Sequence, residues 1–139
     1  MAIVTHLLDT SALLAHYFDE AGAAEVDAIW QEPSNHPGIC VLTIAELRGR
    51  LGIEIAAADE IERVVDLYVN ELTSDVPVDR RVAEEAARLR EASGRRLPLV
   101  DACIAACARL HDSVLVHRDP HFDELSAVDL DQLRLPDRS

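Results

Sequence analysis

Four acidic residues each follow a short apolar run, at a point where a strand should give way to a helix or loop. They are Asp9, Glu46, Asp101 and Asp119. In an open parallel sheet such positions meet at the carboxyl edge of the strands, where folds of this kind bind ligands. Carboxylates brought together repel one another and resist joint ionisation. A hard divalent cation relieves that repulsion, so the pattern predicts a Mg²⁺ or Mn²⁺ site.

Each of the four acids also has an ordinary structural interpretation. Asp9 could cap a helix, although the two hydroxyl residues that follow it could do so as well. Glu46 lies three residues after Thr43, which is the capping-box spacing. Asp101 could be a favourable charge in the first turn of a helix, and Asp119 precedes a proline in a turn. Because Asp101 lies in an apolar run, where a carboxylate is rarely buried without a partner, we favour the metal-binding interpretation.

Alternating apolar and turn-rich segments predict one α/β domain over residues 1–139, with mostly parallel strands. Strands are expected at 3–8, 39–42, 76–78, 113–117 and 128–130. Helices are expected at about 10–18, 21–32, 43–51, 57–72, 79–93 and 98–110. Thr43, Asp79 and Pro98 mark helix starts, and Pro77 places its strand at the edge of the sheet.

The chain is strongly acidic, and its basic residues are unusual in type. The net charge is −13, and all 13 basic residues are arginine. Without lysine, a Walker-A phosphate loop, Schiff-base chemistry and a lysine-dependent phosphoacceptor site are excluded. The acidity argues against broad nonspecific binding of nucleic acid, but it allows a small cleft lined by arginines and favours a basic protein partner.

Cysteine and hydropathy patterns indicate the compartment. Cys40, Cys103 and Cys107 form no disulfide framework, so we expect buried thiols, with a zinc site as the alternative. No segment approaches the roughly 18 consecutive apolar residues of a membrane span, and no signal peptide is apparent. We therefore expect a cytoplasmic protein that does not bind membranes.

Several polar residues near the four acids could assist them. Ser11 could hold a metal-bound water or a phosphate, or it could simply cap a helix. The arginines closest in sequence could contact phosphates, although each alone is more typical of a solvated surface charge. They are Arg48, Arg50, Arg95, Arg96 and Arg118.

Segments 7–14, 43–48, 97–106 and 117–125 resemble, in this order, the four motifs of the PIN-domain family, specifically the VapC-type toxins. The resemblance implies a three-layer α/β/α sandwich with a parallel sheet of four to five strands. It also implies a metal-dependent endoribonuclease site made by the four acids named above. Many relatives have threonine or serine where this chain has His117, which we regard as a further candidate for contact with water or phosphate.

The resulting hypothesis is a toxin of a type II toxin–antitoxin pair that cleaves RNA phosphodiester bonds with metal-activated water. The resemblance further implies a cognate antitoxin with a basic inhibitory segment, and a homodimer. Arg48, Arg50, Arg95 and Arg96 would then be candidates for RNA contact. Two alternatives remain open: a non-catalytic PIN-like binding or regulatory module, and a DNA-directed nuclease of similar fold.

Overall fold

The computed structural model describes residues 3–125 and 128–138, which form five strands and six α-helices. The strands are β1 (His6–Leu8), β2 (Pro37–Cys40), β3 (Ser74–Val76), β4 (Val114–His117) and β5 (Gln132–Arg134). The helices are α1 (Thr10–Tyr17), α2 (Ala23–Gln31), α3 (Val41–Glu54), α4 (Ala58–Val65), α5 (Arg80–Ala92) and α6 (Leu99–Leu110). A π-helical segment, Asp66–Glu71, continues α4, and a 3₁₀ helix, Pro120–Leu125, follows β4.

The five strands form one parallel sheet in the order β3-β2-β1-β4-β5. The chain runs outward from β1 to β3 and then returns to the other side of β1 to form β4. The strand order therefore reverses between β1 and β4, which is where open α/β sheets bind ligands beyond their carboxyl ends. Asp9 directly follows β1 and Asp119 lies two residues beyond β4.

Alternate side chains along the central strands supply two separate cores. Leu7 and Leu115 pack with α5 and α6 on one face of the sheet. Leu8 and Val116 pack with the first four helices on the other face. The strands are buried on both sides, as parallel strands with helical crossovers require. This arrangement confirms the predicted three-layer α/β/α sandwich.

The start of α3 differs from the prediction. Strand β2 ends at Cys40 and α3 begins at Val41, so Thr43 lies inside the helix and does not cap it. The buried Oγ1 of Thr43 has no hydrogen-bond partner among the described residues. The predicted capping box is therefore wrong. A short apolar run gives no sign of where a buried strand ends and a buried helix begins.

The last strand was predicted too early in the chain. Residues 128–130 contain no strand, and β5 instead pairs Gln132 with Leu115 and Leu133 with Val116. Strand β3 lies at the edge of the sheet as predicted, but it spans Ser74–Val76 and ends before Pro77, which was expected inside it. The Asp79 carboxylate caps α5 as predicted, by accepting from the Val82 N–H at 3.0 Å.

Strand β1 begins at His6 and not at residue 3, and Pro98 is the N-cap of α6 and not its first helical residue. The segment 57–72 forms a helix as predicted, but its last turns are π-helical. The three cysteines are buried free thiols. No helix in segments 3–125 and 128–138 is long and apolar enough to cross a membrane.

Candidate active site

A cavity of about 570 Å³ opens at the carboxyl edge of the sheet, beside the point where the strand order reverses. All four predicted acids line it, although they come from four different parts of the chain. The complete lining is Asp9, Thr10, Ser11, Leu14, Glu46, Gly49, Arg50, Asp101, Arg118, Asp119, Pro120, His121 and Arg138.

Asp9 is fixed by the turn that joins β1 to α1. Its Oδ2 accepts hydrogen bonds from the Ser11 N–H at 3.0 Å and the Ser11 hydroxyl at 2.6 Å, so Asp9 is the N-cap of α1. The Ser11 Oγ in turn accepts from the Arg118 N–H at 3.0 Å, which ties this turn to the loop after β4. Asp9 therefore serves as a helix cap and also lines the cavity. The Ser11 hydroxyl hydrogen is already directed to Asp9.

Glu46 lies in the second turn of α3 and is held by a residue of α1. The Thr10 hydroxyl donates to Glu46 Oε1 at 2.8 Å. Both side chains line the cavity, and this bond takes the place of the expected pairing with Thr43. Thr10 was expected only as a possible helix cap, and its adjacency to Asp9 was the sole sequence signal for its part in the site.

The closest group of potential ligands combines two acids with a histidine. Asp101, in the first turn of α6, is buried, and its Oδ2 lies 3.2 Å from His121 Nδ1. The same nitrogen lies 3.1 Å from Asp119 Oδ1, which also accepts from the His121 N–H at 2.9 Å. One ligand atom from each of these three residues lies within 4.8 Å of the others. A single ion could therefore contact all three.

Burial and mutual repulsion raise the pKa values of two of the acids. Burial raises the pKa of Asp101 to about 7, and the charges of Asp119, Asp9 and Glu46 add to this shift. Burial also raises the pKa of Asp9 to about 6, against the hydrogen bonds from Ser11 and with repulsion from Asp119 and Glu46. A hard divalent cation would stabilise the ionised form of these carboxylates. Carboxylate oxygens are also the ligands expected of a Mg²⁺ or Mn²⁺ site.

His117 has a different position from the one expected. Its ring is fully buried, does not line the cavity and packs against Phe122 with centroids 4.7 Å apart. Nδ1 accepts from the Asp119 N–H at 3.2 Å, which leaves Nε2 to donate to Gln132 Oε1 at 2.8 Å. Burial lowers the pKa of His117, in agreement with a neutral ring. The geometry does not support contact with water or phosphate in the cavity; His117 instead holds the backbone of Asp119.

The predicted arginines divide into two groups. Arg50 and Arg118 line the cavity, whereas Arg48, Arg95 and Arg96 do not. Arg48 pairs with an acid of α4, and Arg96 pairs with an acid of the 3₁₀ helix. These three arginines are therefore poor candidates for contact with a ligand in this cavity.

Two further cavity residues were not expected from the sequence. His121 lies in the 3₁₀ helix after β4, and its side chain lines the cavity. Arg138, in the segment after β5, reaches the cavity because Leu135 anchors that segment in the core. No local sequence signal indicates this return of the chain to the site.

The PIN domain family model matches residues 6–128, and comparison with curated protein sequences finds no match. Among solved structures, the chain is similar to VapBC-5 from Mycobacterium tuberculosis, a member of the VapBC family of toxin–antitoxin systems. The identity is 28%, the TM-score is 0.66, and the match covers 94% of this chain and 98% of that one.

A second solved structure, VapBC2 from Rickettsia felis bound to a promoter DNA fragment, has 14% identity and a TM-score of 0.76. That match covers 96% of this chain and 100% of the other. DNA-bound VapBC from Salmonella typhimurium has 16% identity and a TM-score of 0.73, with 94% and 98% covered. The family match spans most of the sequence and all four acids of the cavity; this chain belongs to the PIN-domain family.

Proposed function

We propose that this PIN-domain protein is a divalent-metal-dependent endoribonuclease that acts as the toxin of a type II toxin–antitoxin pair. The observation that carries the proposal is the meeting of four carboxylates and one imidazole in a single open cavity. The similarity to chains of toxin–antitoxin structures, including one at 28% identity, supports the toxin assignment.

Asp101 and Asp119 would hold the ion, with His121 as a third ligand and Asp9 and Glu46 completing the site. When bound, Mg²⁺ or Mn²⁺ supplies a water of lowered pKa and stabilises the negative charge that develops on the phosphate. The remaining contributions come from the protein itself. The Ser11 hydroxyl donates a hydrogen bond to the Asp9 carboxylate. The buried His117 ring accepts a hydrogen bond from the Asp119 backbone N–H.

Glu46 lies outside the close group of Asp101, Asp119 and His121, and it would accept a proton from the attacking water. Its Oε1 is held by Thr10, and its Oε2 makes no hydrogen bond to any residue in the described part of the chain. A half-buried carboxylate with one free oxygen can take a proton and pass it to solvent through the open side of the cavity. No covalent intermediate is required by this arrangement.

The proposed partners follow from charge and from the relatives. The net charge of −13 favours a basic antitoxin segment and would accelerate its association. Single-stranded or looped RNA would suit an open cavity, because its backbone and bases are accessible. The homodimer and the cytoplasmic location stay predictions.

A cleavage assay tests the enzymatic proposal. Wild type, Asp101→Asn and the control Asp75→Asn would be incubated with Mn²⁺ and with RNA or DNA oligonucleotides of one sequence. Asp75 is exposed on β3 and outside the cavity. We expect wild type and Asp75→Asn to cleave RNA equally, and Asp101→Asn to lose at least about 100-fold of the rate.

Equal cleavage by all three proteins would mean a contaminating nuclease, and the binding-module alternative would then be preferred. Preferential cleavage of DNA would favour the alternative of a DNA-directed nuclease. Growth arrest on expression of wild type, but not of Asp101→Asn, and its relief by a neighbouring antitoxin gene would test the toxin assignment.

A further inference from the structure

Three arginines gather on one side of the cavity and are called here the arginine rim: Arg50, Arg118 and Arg138. They line the cavity together with the four acids, and they also line a smaller depression that adjoins it. Asp101, Pro120 and His121 line the main cavity only. The cavity therefore has an acidic part, which suits a cation, and a separate part that contains guanidinium groups.

The arginine rim is organised around one carboxylate. Glu20 Oε1 lies 2.5 Å from Arg118 Nη2, and Glu20 Oε2 lies 2.6 Å from Arg138 Nε. The Arg138 Nη1 is also 4.0 Å from Glu54 Oε1. Glu20 thus fixes two arginines side by side. Since each guanidinium has five N–H donors, both keep donors that these carboxylates do not use.

Two arginines of this rim have hydrogen-bond donors that no described residue uses. Arg50 forms no ion pair with any residue of segments 3–125 and 128–138, whereas its helix neighbour Arg48 pairs with Glu62. Arg118 is nine-tenths buried, and its Nη1 has no hydrogen-bond partner among the same residues. A buried charged donor is costly to leave unpaired, so this side of the cavity lacks an acceptor.

We propose that Arg50 and Arg138 form a subsite for a backbone phosphate of single-stranded RNA, adjacent to the metal-binding acids. This inference rests on the proposed function and assigns the side of the cavity along which the substrate strand runs. A phosphodiester carries one negative charge and two acceptor oxygens, which match the planar donors of arginine. Arg118 acts as a positioning residue, because its side chain holds Glu20 and its backbone N–H holds Ser11.

The subsite also explains how an acidic protein could bind a polyanion. Four carboxylates in one cavity repel a phosphate strand, and a bound cation offsets that repulsion only at its own position. Guanidinium groups at the edge of the same cavity would attract the neighbouring phosphate. Binding then depends on a few local contacts, in agreement with a chain whose overall charge disfavours nonspecific binding.

Binding without turnover provides the test. All proteins would carry Asp101→Asn, which prevents turnover, and their affinity for a fluorescent 12-nucleotide RNA would be measured by anisotropy at several salt concentrations in EDTA. The test variants are Arg50→Gln, Arg138→Gln and the double variant. Arg48→Gln and Arg95→Gln are matched controls, because they remove the same charge outside the cavity.

We expect each single variant to weaken RNA binding several-fold and to reduce the slope of log Kd against log[salt] by about 0.7, the value for one phosphate contact to a single strand. The double variant should show about twice that reduction in slope. The controls should bind within about twofold of the background protein with an unchanged slope. Thermal melting checks that each variant is folded.

Equal losses in test and control variants, or an unchanged salt slope in the test variants, would overturn the subsite. The same loss on single-stranded DNA of matching sequence supports a phosphate contact, whereas a loss confined to RNA would assign the arginines to ribose or base and overturn it. Failure of the nuclease proposal is recognised separately. Wild type would then cleave no RNA, while the binding loss at Arg50 and Arg138 would persist.

Discussion

The substitution Asp101→Asn should stabilise the metal-free protein at alkaline pH, although it removes a residue of the proposed active site. The folded protein raises the pKa of Asp101 from its ordinary value of 3.8 to about 7, first because the carboxyl is buried and then because three other acids repel its charge. The ionised form is therefore disfavoured in the folded state. Asparagine has nearly the same shape without the charge.

The size of the effect follows from that pKa. At about 1.4 kcal/mol for each pKa unit, a rise from 3.8 to about 7 corresponds to about 4 kcal/mol at pH 8. The cavity is open to water, which screens the repulsion, so we expect about half of this, ~2 kcal/mol. For a chain of 139 residues this is a rise in Tm of about 6 °C.

The dependence on pH has a definite sign. Because the folded pKa of Asp101 lies above the unfolded value, ionisation destabilises the fold increasingly from about pH 4 to pH 7 and fully above it. The gain in the free energy of unfolding from Asp101→Asn should therefore be largest at pH 8 and small, below about 1 kcal/mol, at pH 4. Added Mn²⁺ should make wild type more stable than Asp101→Asn, since an ion at 100 times its Kd stabilises wild type by about 2.7 kcal/mol.

Urea and thermal unfolding in EDTA and in Mn²⁺, at pH 4, 6 and 8, would measure these differences. Asp75→Asn provides the control for loss of one exposed carboxylate. If Asp101→Asn were no more stable than wild type in EDTA at pH 8, the carboxylate would not be under electrostatic strain, and the reasoning that unites the four acids would be refuted.

Three further predictions concern the same cavity. His121→Asn should weaken Mn²⁺ binding about tenfold in calorimetry, because it removes the third proposed ligand; an unchanged affinity would remove His121 as a ligand. Thr10→Val should lower kcat/KM for RNA about tenfold, because it frees Glu46 Oε1; unchanged cleavage would contradict that role. Mn²⁺ affinity should rise about tenfold between pH 6 and pH 7, because Asp9 and Asp101, with pKa values of about 6 and about 7, must lose their protons; a flat profile would argue against them as ligands.

Much of the fold was predictable because its signals are local. The alternation of apolar runs and helical segments predicts the parallel sheet. The acids that follow these runs predict a site at the carboxyl edge of the sheet. Boundaries were less predictable where a buried strand passes directly into a buried helix, as at Cys40 and Val41. The position of β5 was missed because an edge strand is set by its pairing with β4, which local sequence does not report.

The candidate active site was also predictable only in part. The four acids could be predicted from their types and positions, but the contacts between them could not. Thr10 reaches Glu46 across 36 residues of sequence, and Arg138 returns to the cavity from the other end of the chain. His117 was a candidate for contact with water or phosphate because many relatives have threonine or serine at that position, but its ring packs against Phe122 in the core.

The most direct test of the central claim is anomalous diffraction from crystals of the protein soaked in Mn²⁺. The account predicts a manganese peak within the cavity, bounded by carboxylate oxygens of Asp101 and Asp119 and absent from crystals of Asp101→Asn. A cavity without manganese density, or an ion bound elsewhere while these acids stay unliganded, would contradict it.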